Sequence, residues 1–181
     1  MGTGDQHTSA RALRLLQHEL VQPESNTSHG GRTPTRVHPP APMRLEVLDH
    51  FTRMLTDARA RADDDALHAH QPAPAPADPY AVFDWWAGLD IDDQARADAR
   101  DTALYHQELQ QAILTGDHSI VCRHPCPDCG CWGLQWDTAR RRAVCTYAPC
   151  TDDQGLANTW TLKNLAHHHI QRQKRLNRRA T

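Results

Sequence analysis

Apolar side chains recur at steps of three and four residues in four stretches of the chain, the spacing of a helical face, and alternate in a fifth. The first, Ser9 to Val21, sets Leu13, Leu16 and Leu20 along one side. Arg44 to Arg61 carries the clearest pattern, with Leu45, Leu48, Phe51, Leu55, Ala58 and Ala62 on one stripe. A third helix is predicted from a cap at Asp90 or Asp92 to about Thr115, where Gly116 is placed to stop it. Its face is weak: Ala95, Ala99, Ala103 or Thr102, then His106, Leu109 and Ile113. The last helix is capped by Thr161 and runs from Leu162 to about Asn177, with Leu162, Leu165, Ala166, Ile170 and Leu176 inward. Trp132, Leu134 and Trp136 alternate with Gly133 and Gln135, which is a strand. After a turn at Asp137 to Arg140, Arg142 to Val144 returns as its partner.

The stretches between these elements divide the chain. Gln22 to Pro42 is rich in proline and glycine and cannot bury enough surface to offset its ordering entropy. Residues 1–42 therefore read as a mostly disordered segment with one short helix, and Met43 directly after it is an alternative translation start. Residues 43–118 read as an acidic helical region interrupted by a Pro/Ala-rich linker at 71–79. Asp78-Pro79 then starts a short helix, Tyr80 to Gly88, holding Val82, Phe83, Trp85 and Trp86. Adjacent tryptophans diverge on a helix, so one is expected in the core and the other over a neighbouring helix or a partner. Asp63-Asp64-Asp65 reads as a solvated run marking the exit of the 44–61 helix. The helix ending near Thr115 is expected to pack on the 44–61 helix and lead into residues 119–181.

Charge changes the picture more than overall composition does. Residues 43–118 carry 6 basic and 15 acidic side chains, whereas 119–181 carry 10 basic and 4 acidic, so the C-terminal part is the natural surface for a polyanion. Apolar residues make up 39% of the chain and only ten are aromatic, which limits the core to a modest size. No apolar run approaches bilayer length and no leader pattern opens the chain, so a cytoplasmic protein without a membrane partner is expected.

All six cysteines fall between Cys122 and Cys150. Cys126 and Cys129 flank two residues and precede Gly130, and Cys145 and Cys150 flank four, so each pair sits on a turn and offers two thiolates to one ion. The order of cysteine pair, hairpin and cysteine pair is that of a ribbon in which a metal joins two turns that so short a sheet could not hold. Cys126, Cys129, Cys145 and Cys150 are the expected ligands and Zn2+ the expected ion, with an iron–sulfur cluster as the rival. Four cysteines leave no open coordination position, which points to a structural site. Cys122 and Cys131 are spare thiols, and His124 is placed to support a ligand. His167, His168 and His169 diverge around a helix and make no joint metal face.

The Cys-Pro-Asp-Cys-Gly run, Cys126 to Gly130, resembles the first knuckle of the zinc-ribbon superfamily. The stretch from Cys126 to Leu162 is similar to small zinc-binding proteins of actinobacteria and their phages that pair a helical region with a C-terminal ribbon, mostly without an assigned function. The expected fold is mainly α with a small β zinc ribbon, followed by a basic helix. The resemblance is specific for metal and not for task.

No Ser-His-Asp order and no phosphate-cradling glycine loop stands out, so an enzyme is not expected. The leading expectation is a nucleic-acid-binding protein with a regulatory role, contacting phosphates through Arg140, Arg141 and Arg142 at the hairpin tip and Arg172, Lys174, Arg175, Arg178 and Arg179 on the final helix. The rival is a protein adaptor using the acidic helices with Trp85 and Trp86, the metal serving only the fold.

Overall fold

The computed structural model describes residues 45–70 and 74–180. The predicted helix at 9–21 and the linker at 22–42 lie outside them. The chain forms two units, Met1–Asp90 and Ile91–Thr181.

In the first unit, α1 (Leu45–Ala66) is followed by α2 (Ala81–Ala87). Phe51, Ala58 and Ala62 repeat along one face of α1 and are buried with Val82, Phe83, Trp86 and Leu89. The aspartate run belongs to the helix rather than to its exit. Asp65 is buried and accepts a hydrogen bond from Trp86 Nε1 at 2.7 Å, which ties α2 to the last turn of α1. Asp78 accepts from the Tyr80 N–H through its side chain and from the Ala81 N–H through its carbonyl, so it forms a turn ahead of the helix rather than its cap, which is Tyr80 without a side-chain bond. Within the expected linker, the carbonyl of Pro76 accepts from Arg59, which fastens that segment to α1.

The second unit holds α3 (Gln94–Leu114), a 3-10 turn (His118–Arg123), β1 (Leu134–Asp137), β2 (Arg142–Cys145), β3 (Thr159–Trp160) and α4 (Leu162–Ala180). The cap of α3 is Asp93, one residue beyond the expected position, whose carboxylate accepts from the Ala95 and Arg96 N–H groups. Gly116, at φ 88°, ends the helix as expected, because a left-handed residue is needed there to return the Asp117 N–H to the Ala112 carbonyl.

The inward face of α3 is not the expected alanine row. Ala95 and Ala99 are exposed, while Thr102 and Leu109 are buried with Tyr105 and Ile113 beside them. That face is covered by α4 and the 3-10 turn.

The sheet is antiparallel in the order β1-β2-β3. Leu134 pairs with Cys145 and Asp137 with Arg142, which gives the expected hairpin. The third strand, pairing Trp160 with Ala143, was not expected, since two residues give no periodicity to read. It carries the chain back toward the hairpin tip, so α4 begins at that end of the ribbon. Thr161 caps it by accepting from the Asn164 N–H.

Leu165 and Ala166 of α4 are buried against Leu109, Val121, Leu134 and Ala143, together with Cys126, Cys145 and Cys150, and Ile170 is buried one turn further on. Each fully buried leucine contributes about 2 kcal/mol. Leu176, expected inside, is 49% exposed because the helix by then has passed the end of the sheet. Among the described residues no helix is long and apolar enough to cross a membrane.

Candidate metal centre

The hairpin register brings the two cysteine pairs together at the end of the ribbon away from its tip. The Sγ atoms of Cys126, Cys129, Cys145 and Cys150 all lie within 4.8 Å of one another. Cys126 to Cys150 and Cys129 to Cys145 are each separated by 3.7 Å. A tetrahedral ion with sulfur at about 2.3 Å needs an edge of about 3.8 Å, so the donor set fits one such ion. The four cysteines thus form a centre able to hold a metal ion, and it is continuous with the apolar core, since three of the four are buried.

Each knuckle is shaped by backbone hydrogen bonds. In the first, the Gly130 N–H donates to the Cys126 carbonyl and the Cys126 N–H to that of Cys131, with Gly130 at φ 73° making the reversal. In the second, the Cys150 N–H returns to the Tyr147 carbonyl at 2.8 Å, so four intervening residues close as compactly as two. The N–H groups of Cys131 and Tyr147 act on the sulfurs of Cys129 and Cys145, a matching feature of the two turns.

The thiols need a cation to ionise together. The Cys131 N–H holds Cys129 down to about 7. At Cys150 the Asn158 amide pulls downward, but burial and the sulfurs of Cys129, Cys126 and Cys145 together push the thiol up to about 12. A divalent ion supplies the positive charge that makes four thiolates compatible.

Asn158 is the residue that sequence reasoning missed. Its side-chain amide donates to Cys150 Sγ at 3.4 Å, to Asp128 Oδ2 at 3.0 Å and to the Thr151 carbonyl at 3.3 Å. No periodicity or spacing marks an asparagine for this task.

The spare groups are not among the four, although the Cys131 thiol lies beside the Cys129 sulfur. Cys122 is exposed at the end of the 3-10 turn and Cys131 is half-buried; neither joins the four. His124 was expected to support a ligand, but its Nε2 meets Tyr105 Oη at 3.1 Å. The Tyr105 ring also stacks on His169, with centroids 4.2 Å apart. Burial, with His169, His168 and Arg123 nearby, holds His124 down to about 4, and burial with Glu108 pushes the Tyr105 phenol above its ordinary range. Both are neutral near pH 7, so this cluster joins α3, α4 and the first knuckle by packing and hydrogen bonding rather than by charge.

The basic residues are placed unevenly. Arg140, Arg141 and Arg142 are exposed at the hairpin tip, Arg140 beside Asp137 and Arg141 at φ 53°. Lys174 is turned inward to Asp98 and Asp101 of α3, so its charge is neutralised within the fold. Arg172 lies over the Trp132 ring, and Arg175, Arg178 and Arg179 are at the surface. Since α4 starts level with Arg142 and reaches Trp132 at Arg172, the tip arginines and the terminal arginines occupy opposite ends of the ribbon. Of the expected partner-binding pair, Trp86 is in the core, and Arg59 lies over Trp85 with Cζ 5.9 Å from the ring centroid.

No protein-family model, no curated protein and no solved structure matches the chain. The class that fold and site define is therefore a mainly helical protein with a small antiparallel sheet and a four-cysteine centre of zinc-ribbon type. The resemblance to actinobacterial and phage proteins gains no support from these comparisons.

Proposed function

We propose that this chain is a non-enzymatic zinc protein whose C-terminal unit binds the phosphate backbone of nucleic acid in the cytoplasm. Zinc is favoured over an iron–sulfur cluster because several irons and bridging sulfides would hold the cysteine sulfurs further apart than these four stand. The zinc serves the fold, since all four positions around it are taken by sulfur.

The observation that carries the nucleic-acid reading is the surface of α4. No carboxylate side chain follows Asp153, and Arg175, Arg178 and Arg179 are exposed on a helix whose Lys174 is matched by α3. Arg141 adds to it: arginine occupies a left-handed turn position where glycine or asparagine is the ordinary choice. The adaptor reading draws less support, because Trp86 is buried and Trp85 is covered by Arg59.

The test is retention of the zinc-loaded chain on DNA and RNA at two salt concentrations. Binding that weakens steeply with salt, and falls in R175E/R178E/R179E, supports the reading. Absent or salt-independent retention overturns it.

A further inference from the structure

Phosphate contacts leave two exposed rings without a role. Trp132 is 64% exposed and Tyr147 49% exposed, although each follows a cysteine ligand by two or three residues. The strand register relates them. Leu134 pairs with Cys145, and the Thr146 N–H donates to the Gly133 carbonyl at 2.9 Å before the Gly133 N–H turns back to the Cys131 carbonyl, so Trp132 and Tyr147 both lie just beyond the same end of the hairpin. One face of the Trp132 ring carries Arg172, whose Cζ is 5.6 Å from the centroid, within cation–π range. The exposure of the indole leaves its other face to water.

We propose that Trp132, with Arg172 behind it and Tyr147 at the same end of the hairpin, is a stacking platform for the bases of single-stranded nucleic acid. The proposal rests on the phosphate-binding reading above and narrows it. A duplex hides the faces of its bases, whereas a single strand presents unstacked faces and phosphates in alternation. An open aromatic face backed by a guanidinium, on a helix that continues into Arg175, Arg178 and Arg179, matches that alternation. A protein ligand would need an apolar surround, and this ring is backed by the Arg172 guanidinium instead.

The experiment uses the full zinc-loaded chain with an oligothymidylate of about twelve nucleotides and a duplex of equal length, read by anisotropy and by tryptophan emission. The wild type should prefer the single strand, and its emission should be quenched on binding. W132A should weaken single-strand binding by about tenfold or more, leave duplex binding within about twofold, and be largely rescued by W132F. Y147A should cause a smaller loss of the same kind. Zinc content and circular dichroism of each variant confirm the fold, and quenching in the wild type reads stacking without any substitution. If the wild type binds neither nucleic acid, the phosphate-binding reading fails and this proposal with it. If it binds both alike, without quenching and without a change in W132A, the platform is wrong and the phosphate reading stands.

Discussion

Asn158 and Cys150 are joined twice: the Asn158 N–H donates to the Cys150 carbonyl at 3.2 Å, and its side-chain amide donates to the sulfur at 3.4 Å. The Asn158 carbonyl also accepts from the Cys145 N–H, so one residue fixes both cysteines of the wider knuckle. Its amide further reaches Asp128 of the first knuckle. Removing the side chain in N158A should weaken zinc binding by about tenfold, measured by competition with a chelating dye, because a thiolate loses a donor that steadies it. A value equal to wild type would show that the backbone bonds suffice.

The six cysteines should divide cleanly by substitution. C126S, C129S, C145S and C150S each break the tetrahedral set and should lose zinc together with the cooperative unfolding of the C-terminal unit, since binding free energy and folding are coupled here. C122S and C131S should keep one zinc per chain by elemental analysis. Loss of zinc in either would mean that the ligand set is wrongly assigned.

The contact between α3 and α4 should depend on pH through Asp98. Burial opposes its ionisation, but hydrogen bonds from Lys174, Gln94 and Gln171 outweigh that and hold it at about 2 against 3.8. The folded value lies below the unfolded one, so the stabilisation is present above about pH 4 and is lost as pH falls through about 2. Wild type should exceed D98N by about 1–2 kcal/mol at neutral pH in denaturant unfolding, with the gap closing in acid. A gap that does not vary with pH would assign the effect to packing instead.

Arg141 holds a left-handed conformation that disfavours a side chain. R141G should raise stability by about 0.5–1 kcal/mol, because glycine adopts that geometry without steric cost. The same change should weaken nucleic-acid binding and reduce its salt dependence by roughly one phosphate contact. Stabilisation without any effect on binding would make the arginine incidental to function.

The parts of the molecule that depend on local rules could be read from the chain. Thr161 as a cap, Gly116 as a stop, the hairpin between β1 and β2, and the four clustered cysteines each follow from spacing or from a side chain acting on its own backbone. What escaped depends on residues far apart in sequence. Asp65 looks solvated until Trp86, 21 residues later, is seen to donate to it. Lys174 looks like a surface cation until Asp98 is found opposite, 76 residues away. The inward face of α3 was misread for the same reason: it combines Tyr105, Leu109 and Ile113 with polar Thr102, and no alanine row reveals it.

The short return strand β3 has a consequence for reach. By starting α4 level with Arg142 and aiming it past the cysteines, it sets the last arginine, Arg179, about 25 Å of helix away from the tip arginines. A polyanion too short to cover that length can neutralise one pole or the other, never both at once. On the phosphate-binding reading proposed above, the ligand is therefore selected by extent as well as by charge, with the span set by the seventeen helical steps from Leu162 to Arg179.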